Sequence, residues 1–187
     1  MIFDQPRQPV ELQDRSAQRL ACIAKLIAIF ETSFSSVRYR VLESISTVNA
    51  QASVSNGESR VDLFGGLAFH PMVRHDGLVF TLLHETGHHL SAGCKLPWAQ
   101  LACECAADSW ATTDGRKALR ASGAKFRLET ALRQIECAAG PKQQRILSRR
   151  AARTNCWSMN WRERKQILLD GRAVNFQTCQ ISSAIGR

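Results

Sequence analysis

The stretch His84-Glu85-Thr86-Gly87-His88 constrains this chain more than any other. Four residues along an α-helix turn about 400°, so His84 and His88 project from one face. Glu85 lies about 100° round from His84 and cannot easily join the same set. The surrounding segment 77–90 (GLVFTLLHETGHHL) reads as a short helix, opened by Asp76 as N-cap and stopped at Gly93. Phe80, Leu83 and Leu90 supply its apolar contacts. Gly87 in mid-helix costs about 1 kcal/mol against Ala, which implies a neighbour packed close at that point.

Two neutral imidazoles on one helical face can hold a single zinc ion, and the expected cofactor is one such ion. A catalytic zinc needs a third protein ligand and one open position. Glu104, on the next predicted helix, supplies a candidate, and Asp108 shares its face at i+4. Glu104 is therefore expected on the metal, with Asp108 accepting the N–H of a ligand imidazole, most naturally His84. Zinc lowers the pKa of bound water towards about 7. Glu85 is placed to take that water's proton and pass it to a leaving amine. The competing readings are plainer: two surface histidines on a core helix, a solvated Glu104, and an Asp108 that pairs with Arg116 or Lys117.

Around this centre the pattern runs helix, strands, helices. Residues 11–31 show apolar positions at helical spacing (Leu12, Leu20, Ile23, Leu26, Ile27, Phe30). Segment 37–54 is β-friendly. Asn56-Gly57 is the best turn signal, because both residues tolerate the positive φ of a tight hairpin. Segment 60–69 reads as the partner strand. Its Gly65-Gly66 implies a bulge or the close approach of another backbone. That strand is also expected to offer an edge to an extended peptide. Helices are predicted over 98–121, with an interruption at Asp114-Gly115, over 124–138, ended by Gly140-Pro141, and over 142–153 and 160–169. The order predicts an α+β fold: a small antiparallel sheet packed on the helix of the two histidines, with a mostly helical C-terminal part. Residues 1–122 read as the core and 123–187 as a basic helical extension packed on it.

Charge divides the chain the same way. Residues 1–115 hold 9 Lys and Arg against 12 Asp and Glu, a balance of −3; residues 116–187 hold 16 against 4, a balance of +12. Such asymmetry suits an anionic partner or, more plainly, a solubilising Arg-rich surface. There is no zinc finger, RNA-recognition signature or aromatic stacking platform. No transmembrane segment is expected: the best apolar run, 20–30, is interrupted by Lys25 and too short. The start lacks a signal peptide, which implies the cytoplasm, or export if the N-terminus is incomplete. Seven cysteines show no C-x-x-C spacing, so buried packing is their first reading, then disulfides in an exported form.

H-E-T-G-H-H followed by E-C-A-A-D-S-W-A resembles the gluzincin group of zinc metallopeptidases, in which H-E-x-x-H on one helix is completed by E-x-x-x-D on the next. The longer run N-A-Q-A-S-V-S-N-G-E-S-R-V-D-L-F-G-G-L-A-F-H-P, leading into H-E-T-G-H-H, resembles small bacterial M48-like proteins. The likeness covers roughly residues 48–120. It implies a zincin-like fold, metal ligands at His84, His88 and Glu104, a base at Glu85, a supporting carboxylate at Asp108, and a peptide or protein as substrate. The same skeleton resembles ImmA/IrrE-type regulatory peptidases, without an attached DNA-binding domain. The expected function is that of a zinc-dependent endopeptidase. The alternative is a non-catalytic, zinc-stabilised regulatory or nucleic-acid-associated protein using its basic C-terminal region. His70 and His75 are candidates to stabilise an oxyanion. His89 reads as structural, and Tyr39 as a strand-packing aromatic.

Overall fold

A computed structural model describes residues 13–93, 95, 100–149 and 161–171. Helix α1 (Ala17–Ser33) begins six residues later than its apolar spacing predicts. Ser16 sets the start by accepting the Arg19 N–H at 3.2 Å. Ile23, Leu26 and Phe30 are buried, whereas Leu20 is exposed and Leu12 lies outside the described residues.

Three strands follow: β1 (Val37–Leu42), β2 (Ala50–Ser55) and β3 (Glu58–Phe64). Asn56 and Gly57 both adopt positive φ (53° and 77°) and turn β2 into β3, with Ser55 opposite Glu58. The sheet order is β1-β3-β2. Only the β2–β3 pair is antiparallel; β1 runs parallel to β3, so the sheet is mixed rather than antiparallel. The central position of β3 also corrects the expected substrate edge, because both its sides are paired. Strand β2 has β3 on one side only among the described residues.

The strand predicted to reach residue 69 stops at Phe64, and Gly65–Ala68 form one helical turn, α2. A Cβ on Gly65 would collide with the Glu43 backbone, and one on Gly66 with that of Ser46. The close approach inferred from the glycine pair is therefore present, but around a turn. Buried Arg19 of α1 donates through Nε to the Ala68 carbonyl at 2.8 Å, closing that turn.

Helix α3 (His75–Leu90) carries the histidine pair. Asp76 lies within its first turn rather than capping it. The cap comes from another helix: Gln134 Oε1 accepts the N–H groups of Arg74 and Gly77, each at 2.9 Å. At Gly87 a Cβ would sit 2.7 Å from the Ala107 carbonyl oxygen and 2.9 Å from its Cα. The mid-helix glycine thus marks where α4 (Glu104–Thr112) crosses α3 backbone to backbone.

Helix α4 starts at Glu104, not near residue 98, because residue 102 is extended: Ala102 donates its N–H to His88 O at 2.6 Å. Thr113 interrupts the helical run, and α5 (Asp114–Ala121) follows. Helix α6 (Leu128–Arg149) passes through Gly140 and Pro141, where a break was predicted. Its first three turns are held by buried Ala131, Leu132, Ile135, Ala138 and Ala139. Helix α7 (Trp161–Asp170) closes the described chain. Of the basic C-terminal extension 123–187, the expected surface for an anionic partner, segments 150–160 and 172–187 lie outside the described residues. One buried apolar cluster joins α1, the sheet, α3, α6 and α7. No helix among the described residues is long and apolar enough to cross a membrane. The fold is α+β.

Candidate metal centre

Helix α3 buries His84, Glu85 and His88 together. Each imidazole is fixed through its Nδ1. His84 Nδ1 stands 2.8 Å from Asp108 Oδ1, and His88 Nδ1 stands 2.6 Å from the Ala102 carbonyl oxygen. A carboxylate and a carbonyl only accept, so both Nδ1 atoms are assigned a proton, and each ring, when neutral, turns a lone pair out from Nε2. The two Nε2 atoms face each other 3.1 Å apart. Glu104 closes the third side, with Oε2 3.3 Å from His84 Nε2 and Oε1 3.6 Å from His88 Nε2. Three lone-pair donors at such range repel unless a proton or a metal ion lies among them. Ligand atoms about 2.0–2.1 Å from a tetrahedral zinc are about 3.3 Å apart, close to the 3.1 Å between the imidazoles, while Glu104 meets the two rings with different oxygens. The donor set therefore fits a metal.

Two carboxylates compete for the third corner, since His84, Glu85 and His88 also bring ligand atoms within 4.8 Å of one another. Glu104 approaches both Nε2 atoms, although its Oε2 also lies 2.9 Å from Arg164 Nη1. Glu85 Oε2 is already engaged, accepting the Ala52 N–H of β2 at 2.8 Å. Glu85 Oε1 is buried, and among the described residues no donor reaches it. A buried carboxylate oxygen without a partner is costly. One that lies beside two facing imidazoles suits a water held there.

Charge is concentrated at this point. Burial works against a charged His84, yet Asp108 and Glu104 push its pKa up to about 9. His88 is driven below its ordinary value by burial and by its His84 neighbour. Burial opposes ionisation of Glu104, but Arg164 and His84 hold it well below the usual carboxylate range. Asp108 is drawn down to about 2 against its own burial, again by Arg164 and His84.

Arg164 carried no sequence signal. It is one of many basic residues in the C-terminal third, and only the docking of α7 brings it here. Its Nε and Nη2 bond the two oxygens of Asp108 at 2.7 and 2.9 Å, and Nη1 lies 2.9 Å from Glu104 Oε2. Asp108 thus pairs with neither Arg116 nor Lys117. The contacts from Ala52 and Ala102 are made by backbone, so residue type could not announce them. Tyr39 has more than a packing role: its hydroxyl lies 2.8 Å from Thr86 Oγ1, tying β1 to the middle of the histidine motif.

The weaker candidates lie elsewhere. His75 is nine residues before His84, about 13 Å along the helix axis, and its Nε2 faces the Lys125 carbonyl. His70 accepts the Met72 N–H. His89 bonds the Arg60 carbonyl of β3 at 2.9 Å. Cys103 is buried, whereas Cys105 is disulfide-bonded, so packing alone does not describe both. A cavity of about 300 Å³ lies behind α4, walled by Asp108, Arg116, Arg164 and Leu168 among others. None of His84, Glu85, His88 and Glu104 lines it.

Comparison of the chain with family models, curated proteins and solved structures gives no match.

Proposed function

We propose that this protein is a zinc-dependent peptidase of gluzincin type, zincin-like in fold, that hydrolyses internal peptide bonds. The observation that carries the reading is the convergence of two Nε2 atoms and the Glu104 carboxylate, at 3.1, 3.3 and 3.6 Å, with a buried, half-engaged Glu85 beside them. A zinc ion bound there supplies a Lewis acid and a water of lowered pKa.

The rest is work for the chain's own residues. Asp108 and the Ala102 carbonyl keep both imidazoles in the tautomer whose Nε2 can bind metal. Glu85 Oε1 takes a proton from water and returns it to the departing amine nitrogen. The Ala52 N–H holds the other oxygen of Glu85, so that Oε1 stays aimed at the centre. A peptide lies extended beside β2, the sheet edge next to Glu85, and bonds to its outward backbone groups.

The test is zinc analysis of the purified protein together with cleavage of an unstructured protein such as casein. Glu85→Gln is expected to keep its zinc and to cut about 10²–10⁴-fold more slowly. Cleavage undiminished in this variant removes Glu85 from the reaction. A wild-type protein that takes up no zinc ends the reading altogether.

A further inference from the structure

We propose that Arg164 is a positioning residue of the metal centre: α7 delivers one guanidinium that fixes both α4 carboxylates, Glu104 and Asp108, in the orientation metal binding requires. The inference rests on the metal site proposed above, but not on peptide hydrolysis.

Arg164 is only 8 % exposed and uses all three of its nitrogens on these two residues. Asp108 Oδ1 is shared between Arg164 Nη2 and His84 Nδ1. A line of contacts therefore runs from α7 through Asp108 to the imidazole, and it sets the direction of the Nε2 lone pair. The second arm acts on Glu104 directly. Arg164 Nη1 lies 2.9 Å from Oε2, an ion pair without hydrogen-bond geometry, so it draws the carboxylate toward α7 by charge.

Charge gives a second reason for an arginine here. Glu85, Glu104 and Asp108 with Arg164 carry a formal −2, which a divalent cation brings to zero. Without the guanidinium the buried cluster would be one charge further from neutrality, and two carboxylates one helical turn apart would repel. Lysine can supply the charge but not a planar fork that spans two carboxylates.

A plainer role would be to fasten α7 to α4. The two roles separate experimentally, because α7 has another fastener: Lys165 Nζ lies 2.6 Å from Glu136 Oε2 of α6. Full-length wild type, Arg164→Lys, Arg164→Met and Lys165→Ala are compared in three ways. Metal-free melting reports the fold, competition with a chromogenic chelator reports zinc affinity, and the visible spectrum of the cobalt(II)-loaded protein reports ligand geometry.

Arg164→Lys is expected to stay folded, to bind zinc about 10–100-fold more weakly, and to show altered cobalt bands. Lys165→Ala is expected to lower the melting temperature while leaving affinity and spectrum as in wild type. Wild-type affinity and spectrum in a folded Arg164→Lys protein would overturn the proposal. So would equal weakening by Lys165→Ala, or an Arg164→Lys chain that cannot fold, since either would make Arg164 a fastener. Arg164→Met, if folded, must be weakened at least as much as the lysine variant. A wild type that binds zinc in this Arg164-dependent way but cuts no peptide would refute the peptidase reading alone.

Discussion

On the proposed reading, a proton and a metal ion compete for the same place between His84, His88 and Glu104. In the metal-free protein the proton is held on His84, whose pKa is pushed up to about 9 by Asp108 and Glu104 against the opposing effect of burial. Metal needs the Nε2 lone pair that this proton occupies, so zinc uptake near pH 7 must release about one proton. Apparent zinc affinity should therefore rise about tenfold per pH unit below pH 9 and flatten above it. Calorimetry in buffers of different ionisation enthalpy counts the proton directly. A pH-independent affinity between pH 7 and 8.5 would show that His84 is already neutral. The same shift has a stability consequence of fixed sign. A raised folded-state pKa contributes stability that is complete below the unfolded value of 6.5 and is lost as pH climbs through about 9. Asp108, drawn down to about 2, acts in the other window: its contribution is present above 3.8 and disappears as pH falls through 2. Chelated protein should thus melt lower at pH 9.5 than at pH 6.5 on account of His84, and zinc-loaded protein should lack that particular loss.

The crossing of α3 and α4 decides whether Glu104 can reach the imidazoles at all. Replacing Gly87 with Ala favours the isolated helix by about 1 kcal/mol. The new Cβ, however, would stand 2.7 Å from a backbone oxygen of Ala107, which cannot swing aside as a side chain would. Overpacking of this kind costs about 1–3 kcal/mol, so Gly87→Ala should lower the melting temperature and, by parting the helices, weaken zinc binding. Stability raised, with affinity intact, would mean the crossing is looser than described. The start of α3 depends on a cap from outside it. Gln134→Ala should cost about 1 kcal/mol in urea unfolding, and a neutral result would return the cap to Asp76. These two helices also show what the sequence could and could not reveal. Asn56-Gly57 is legible because its turn acts within two residues; Gly87, and Glu104 with Asp108, are legible as local anomalies of spacing or propensity, although what they meet lies in another helix. The parallel pairing of β1 with β3 has no such signature. Neither does the end of β3 at Phe64, which depends on the backbones of Glu43 and Ser46 crowding Gly65 and Gly66. Helix α6 runs through Gly140-Pro141 against its own local preference, where buried contacts earlier in the helix outweigh propensity. Arg164 and the Ala52 amide are contacts between distant segments, so no window of sequence contains them.

At the scale of the whole molecule, the question is whether metal holds the fold or the fold holds the metal. The apolar cluster answers for the second. It runs from Ile23 and Phe30 of α1 through Val61 and Leu63 of β3 and Leu78 and Leu82 of α3 to Leu132 of α6 and Leu168 of α7, without passing through the metal centre. A chain with such a core does not need a cation to collapse, unlike a small domain whose metal binding is its folding energy. Zinc, bound as proposed, would add only its linkage term, about 2.7 kcal/mol at a hundredfold and 4.1 kcal/mol at a thousandfold excess over the dissociation constant. In a chain of this length that corresponds to a rise of about 5–15 °C in melting temperature. Chelation should accordingly leave the far-ultraviolet circular dichroism at 25 °C unchanged and lower the melting point by an amount that grows with the logarithm of free zinc. If chelation instead abolished helix content at 25 °C, the ion would be a staple between α3 and α4, and Glu85 would lose its claim to a chemical role. The buried Oε1 of Glu85 makes the opposite outcome the expected one, because a site needed only to join two helices has no use for a second carboxylate held half-engaged at its side.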